Sequence, residues 1–223
     1  MSRILVINPN RSTACGAGIA AAIAPFARAA GPRLEVVSLP AGPPAILTWA
    51  DWYAAVPPLL ATIAAEPAAA YVIACASDPG IEAARAATPA PVFGIFRAAV
   101  AAAIARAERF GVLAITAASR PRHLAVLRAM GLEARLVAEP ALDLTLETLL
   151  DPLAARQALE AAGAACVQAG AETVILGCTG MAHHRAALQA ALGVPVIEPC
   201  QQALALALAA VGAESGEGPC RRS

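Results

Sequence analysis

Charge imbalance is the first thing this chain lacks. Its sixteen Lys and Arg residues equal its sixteen Asp and Glu residues, for a formal net charge of zero. That removes the electrostatic basis for nucleic acid or an anionic membrane surface as a partner. Long apolar runs are also missing. The longest stretch without a charged side chain, Ser12 to Ala27, has sixteen residues and contains both Gly and Pro. A membrane span takes roughly 20 mostly apolar residues, so a soluble protein with no membrane partner is expected. Met1 to Asn10 holds one arginine and a short strand-like run ending in Asn-Pro-Asn, so no signal peptide is expected there. No Cys-x-x-Cys or other close ligand spacing occurs among the six cysteines. No metal site is therefore expected, and the thiols read as free in a reducing cytoplasm.

What is present is an alternation of apolar strands with alanine-rich helices. Strands are expected at Arg3–Ile7, Leu34–Leu39, Tyr71–Cys75, Pro91–Ile95, Phe110–Ile115, Leu132–Val137, Thr173–Leu176 and Val194–Ile197. Helices are expected between them, including a long one at Pro152–Ala169 after an acidic, leucine-rich linker (Asp143 to Asp151), and a last one at Gln201–Val211. This order argues for α/β with parallel sheets. It also restarts near Phe110. Ile4 and Cys75 are 71 positions apart, and Val112 and Cys178 are 66 apart. The next Pro-Val pair follows Cys75 by sixteen positions and Cys178 by seventeen. The expected fold is two similar Rossmann-like domains related by a pseudo-two-fold axis, with the active site in the cleft between them. Residues 1–96 with 198–214 would form the first domain and 97–197 the second, leaving 215–223 as a flexible tail.

Tyr71-Val72-Ile73-Ala74-Cys75 and Thr173-Val174-Ile175-Leu176-Gly177-Cys178 each end an apolar strand in a cysteine, with small polar residues and a helix to follow. Parallel sheets bind ligands at that end of their strands. Cys15, Cys166, Cys200 and Cys220 are expected to be small buried hydrophobes. Two thiols on facing walls could act as base and acid. One would remove a proton from a stereocentre and the other would reprotonate the planar carbanion from the opposite face. Such racemisation needs neither metal nor cofactor. Cysteine near a helix N-terminus is expected to have its thiolate favoured. Backbone N–H groups, with the hydroxyls of Ser77, Thr116, Ser119 and Thr179, could hold the enolate oxygen.

Asn8-Pro9-Asn10, Cys75-Ala76-Ser77-Asp78-Pro79-Gly80 and Gly177-Cys178-Thr179-Gly180-Met181 together resemble the aspartate/glutamate/hydantoin racemase superfamily. With Gly42-Pro43-Pro44-Ala45-Ile46 and Gly193-Val194-Pro195-Val196, the likeness is to its hydantoin racemase branch and covers nearly the whole chain. The resemblance implies two Rossmann-like domains, a cofactor-independent two-cysteine mechanism, a small-molecule substrate and a homo-oligomer. It makes Cys75 and Cys178 the acid/base pair, and it places Asn10, Ser77, Asp78, Thr116, Thr179 and Gly180 around the substrate. Asp78 fits equally as the N-cap of the following helix, and Asn10 as a turn residue.

The sequence also departs from the pattern. Superfamily members acting on free acidic amino acids usually have Cys-Asn-Thr at the first thiol, where this chain has Cys75-Ala76-Ser77. Arg97 stands near where the hydantoin branch often has an acidic residue; it either binds an anionic substituent or is a solvated helix residue. His183 and His184 read as surface or capping residues, because neighbours on a helix diverge by about 100° and no third ligand has suitable spacing. A cyclic ureide such as a 5-substituted hydantoin is the expected substrate, with Trp49 and Phe96 as apolar surface for its substituent. The alternatives are an arylmalonate-type decarboxylase or an aspartate/glutamate-type racemase on the same fold and, in a different class, a non-catalytic small-molecule binding protein.

Overall fold

The computed structural model describes residues 2–151 and 153–216. The first half runs β1 (Arg3–Asn8), α1 (Thr13–Ile23), β2 (Arg33–Ser38), α2 (Trp49–Ala54), α3 (Val56–Ala65), β3 (Ala70–Ile73), α4 (Ile81–Ala87), β4 (Val92–Gly94) and α5 (Ile95–Ile104). The second runs β5 (Phe110–Leu113), α6 (Arg120–Met130), β6 (Leu136–Ala138), α7 (Leu146–Leu150), α8 (Arg156–Gln168), β7 (Thr173–Leu176), α9 (Arg185–Leu192), β8 (Val196–Ile197) and α10 (Pro199–Gly216). The strands form two four-stranded parallel sheets, ordered β2-β1-β3-β4 and β6-β5-β7-β8. Each sheet thus starts from its second position and crosses over in the same way, the α/β repetition expected from the sequence.

The central strands are apolar along their interiors, Ile4–Ile7 in β1 and Val174–Leu176 in β7, because both their faces are covered. Along β1, Ile4 and Val6 face α1 and α10, while Leu5 and Ile7 join the side chains of α3. In the second sheet Leu113 and Val174 pack with α8, and Phe110, Val112 and Ile175 pack with α6. Helix α5 joins the halves: Ile95 and Ala98 enter the core of the first sheet, and Phe96, Ala99, Val100 and Ala103 that of the second. The last helix returns to the first sheet through Cys200, Ala203, Leu204, Ala207 and Val211.

Several expected elements shift, each for a local reason. The strand expected at Leu132–Val137 shortens to β6, because α6 closes on left-handed Gly131 (φ 71°) and the Leu132 N–H donates back to the Leu127 carbonyl at 2.9 Å. This 6→1 closure holds Leu132 at the helix end. The expected linker 143–151 contains helix α7, N-capped by Thr145, whose Oγ1 accepts the Thr148 N–H at 3.1 Å. The following helix starts only at Arg156, since the Asp151 carboxylate takes the N–H groups of Leu153 (2.8 Å) and Ala154 (3.1 Å) and turns the chain there. The expected tail lies outside the described residues from position 217 on, as does Cys220. No helix among the described residues is long and apolar enough to cross a membrane.

Candidate active site

Cys75 and Cys178 stand at equivalent places in the two sheets, each two residues beyond a buried strand. The residue before each hangs from the neighbouring central strand. Ala74 N–H donates to the Ile7 carbonyl at 2.8 Å, and Gly177 N–H to the Leu113 carbonyl at 2.9 Å. A Cβ at position 177 would collide with that carbonyl, so glycine lets the strand approach closely enough to set Cys178. Both cysteines open onto one cavity of about 460 Å³ at the carboxyl ends of the strands.

Both cysteines are half-buried as residues, and donors meet each sulfur. The Ser77 hydroxyl lies 3.5 Å from the Cys75 sulfur, and the Ser77 N–H points at it too; the Gly180 N–H does the same for Cys178. Burial nevertheless dominates. It pushes the Cys75 thiol up, and it pushes Cys178 up to about 12. The expectation that helix N-termini favour the thiolates is therefore corrected. Helix α4 begins six residues after Cys75, and a 3₁₀ segment (Thr179–His184) separates Cys178 from α9. The dipole effect fades within one turn, which leaves too few donors to offset desolvation. Alkylation of Cys178 by iodoacetamide is accordingly expected to be slow at pH 7 and to accelerate about tenfold per pH unit, following its thiolate fraction. Fast labelling at neutral pH, read by peptide mass spectrometry, would show that burial is overridden.

The Asp/Glu/hydantoin racemase family matches residues 4–207. The chain belongs to that family. A hydantoin racemase from Rhizobium meliloti is 37% identical over 215 residues, covering 94% of this chain and 89% of the relative. The solved allantoin racemase from Klebsiella pneumoniae is 33% identical with a TM-score of 0.89, covering 96% of this chain and 89% of that one. An allantoin racemase from Pseudomonas fluorescens is 26% identical with a TM-score of 0.86, covering 98% and 94%. The enzyme class of this racemase-family chain is isomerase.

Asn10, Ser77, Thr116, Ser119 and Thr179 line the cavity with the two thiols. The Asn10 carboxamide oxygen is occupied by Asn8 Nδ2 (3.0 Å) and Ser12 N–H (2.8 Å), so its NH₂ is the group left to donate. Among the described residues, Thr116 Oγ1 is buried without a partner. Asp78 and Gly180 are not in the lining. The Asp78 carboxylate is buried and accepts the Phe96 N–H (2.9 Å), the Arg97 N–H (3.0 Å) and the Arg97 guanidinium (3.1 Å). It caps α5, not the following α4, and its oxygens are spent there. Gly180 acts through its N–H behind Cys178. Arg97 is neither a substrate ligand in the lining nor simply solvated, because it pairs with Asp78 and with Glu82 at 2.6 Å. Trp49 is exposed on α2 and Phe96 is core, stacked on His123 at 4.6 Å, so neither provides cavity surface. His184 is buried, with Nε2 2.9 Å from the Leu149 carbonyl, and His183 tilts over it at 3.9 Å. Among the described residues no group of three His, Cys, Asp or Glu could hold a metal.

The structure adds lining residues that the sequence did not assign to the site. Loop residues Ala45, Ile46 and Leu47 and the Asp143-Leu144-Thr145 segment line the cavity from opposite halves. Cys15 lines it as well as being buried in α1. From α6 come Arg122 and His123, both 2% exposed, with His123 Nδ1 2.6 Å from buried Glu139. Arg120-Pro121-Arg122 at a helix start was the one available signal, but it does not say which arginine turns inward.

Proposed function

We propose that this family member racemises a 5-substituted hydantoin through Cys75 and Cys178. The observation that carries the reading is that two cysteines, at equivalent ends of two like sheets, open onto one cavity. One cysteine, as thiolate, takes the C5 proton; the electron pair moves onto the adjacent carbonyl oxygen as an enolate. The other cysteine, as thiol, gives its proton to the opposite face of C5, the carbonyl re-forms, and the roles of the sulfurs are exchanged. Thr116 Oγ1, buried at the cavity with no partner among the described residues, is the donor best suited to receive the enolate oxygen, since a preorganised donor costs no reorganisation during the reaction. The chain contains no lysine, the residue that would hold pyridoxal phosphate as a Schiff base.

The walls support this substrate class. Ala45, Ile46, Leu47, Ile115 and Leu144 give apolar surface, and Asn10, Thr116, Ser119 and Thr145 give neutral hydrogen-bonding groups. The lining also holds one cation, Arg122, and one carboxylate, Asp143, so with these groups it suits a cyclic ureide of no net charge with a substituent on its stereocentre. Polarimetry against 5-alkyl and 5-aryl hydantoins, allantoin, aspartate, glutamate and an arylmalonate tests this. A hydantoin ring, allantoin's included, is expected to lose optical rotation fastest. Faster turnover of aspartate or glutamate, or loss of carbon dioxide from the arylmalonate, would overturn it.

A further inference from the structure

His123 is a buried histidine on the cavity wall that the two-cysteine reaction does not use. It stands on α6 and is 2% exposed. Its Nδ1 lies 2.6 Å from Oε1 of Glu139, whose side chain is fully buried. One face of the ring stacks on Phe96, with the planes 25° apart. These contacts leave Nε2, which has no hydrogen-bond partner among the described residues. Nor is Nε2 sealed: the fully buried side-chain polar atoms without a partner among those residues are Thr116 Oγ1, Arg122 Nε, Glu139 Oε2 and Glu198 Oε1. An unpartnered nitrogen that is not sealed reaches open space, and the open space His123 lines is the cavity.

Glu139 decides what that nitrogen can do. A carboxylate only accepts, so the proton of the neutral ring sits on Nδ1 and Nε2 keeps its lone pair. An imidazolium would add a second buried cation to the wall where Arg122 donates to the Leu47 carbonyl at 2.9 Å, and burying a further charge is costly. The outcome is a hydrogen-bond acceptor held in place by Glu139 and Phe96. A cyclic ureide needs one. Its carbonyl oxygens can take donors such as the Asn10 NH₂ and the Thr116 hydroxyl, but its ring N–H groups must find acceptors, since a donor buried without one costs binding. Asp143 also lines the cavity but is exposed at its rim.

We infer that Nε2 of His123 accepts a ring N–H of the ureide, so that His123 determines specificity for the ring. Glu139 is a positioning residue in this role: it acts on the ligand through the orientation and tautomer of His123. The assignment rests on the hydantoin reading above, but the state of His123 is tested without any ligand.

The experiment has two parts, both on the full chain. In the first, nitrogen-15 NMR of the histidine-labelled protein at pH 8 is expected to show His123 protonated at Nδ1 and unprotonated at Nε2. The opposite tautomer, or a ring protonated at both nitrogens, overturns the inference. In the second, calorimetry measures binding of 5,5-dimethylhydantoin, which has no C5 proton to lose, and of its N1-methyl and N3-methyl derivatives. The parent is compared with His123→Leu and Glu139→Gln, with folding checked by circular dichroism. Methylating the engaged nitrogen is expected to weaken binding to the parent by about tenfold or more. His123→Leu is expected to bind the unmethylated ring about tenfold more weakly and to lose the preference over that methyl derivative. Glu139→Gln keeps the ring but can donate to Nδ1, and is expected to lose most of the same preference. If His123→Leu weakens all three ligands equally, the ring only packs, and the inference fails. It fails too if the parent binds the hydantoin but prefers it over neither derivative. Should His123→Leu not fold, the parent decides by its tautomer and its methyl preference. If the parent shows the expected tautomer yet binds none of the three, the hydantoin reading itself is overturned, and this assignment with it.

Discussion

Cys75→Ser and Cys178→Ser are each expected to lower racemisation by roughly 10²–10⁴-fold, the usual worth of a general acid–base group. Serine is close to cysteine in size, so the cavity is kept and the loss is chemical: a hydroxyl is a far weaker acid and does not supply the base. Neither variant should be inert toward the stereocentre, however. The remaining thiol can still take a proton from its own face and return one there. In D₂O each variant is therefore expected to exchange the substrate's α-proton without inverting it, and the two variants should do so on opposite enantiomers. Proton NMR on each pure enantiomer, with circular dichroism to confirm folding, makes the measurement. Parental racemisation in either variant would make that cysteine structural. Exchange of the same enantiomer by both would mean that the thiols do not flank the stereocentre.

The second large effect is expected on stability. Asp78 is buried and receives the Phe96 and Arg97 N–H groups at the start of α5, together with the Arg97 guanidinium. Phe96 itself is fully buried. Asp78→Ala orphans buried donors at about 1–3 kcal/mol each and unpairs Arg97, so a loss of about 3 kcal/mol is expected in urea unfolding. Asp78→Asn keeps one accepting oxygen and should lose about half as much. Position 78 is also left-handed, with φ 47°, a conformation that Asn shares more readily than Ala. The same turn carries Cys75, through the Asp78 N–H donating to the Cys75 carbonyl at 3.0 Å. Racemisation by Asp78→Ala is therefore expected to fall by about 10²-fold, as small misplacements of reacting groups do. A change below about 1 kcal/mol with full activity would show that water replaces the carboxylate without consequence.

The α/β class, the repetition and the thiol-bearing strand ends were readable from sequence because they are local. Ile4 to Ile7 and Thr173 to Leu176 are apolar at nearly every position, as strands covered on both faces must be, and each half breaks into small or polar residues at the same point. The candidate site residues Ser77, Thr116, Ser119 and Thr179 were readable for the same reason: they sit within the first few residues after a central strand, where the chain must turn at the binding end of the sheet. Asp78 shows the limit of this logic. A carboxylate just ahead of a helix looks like that helix's cap, but its actual partners lie 18 and 19 residues further on, at α5, because β4 lies beside β3 and brings the start of α5 under the turn.

Arg122 and His123, Cys15 and the two rim segments at 45–47 and 143–145 belong to the part that only the tertiary structure decided. Nothing in Arg120-Pro121-Arg122 distinguishes the inward arginine from the outward one; that depends on the Leu47 carbonyl, 75 residues away, arriving opposite it. The protonation of the thiols was decided at the same level. Sequence places donors near both sulfurs, but whether those donors outweigh burial depends on how much protein surrounds each sulfur and how far the helices start from it. Local pattern determines which residues reach the end of the sheet. Charge, burial and access at that end are sums over neighbours brought together from both halves of the chain, and only the folded arrangement sets them.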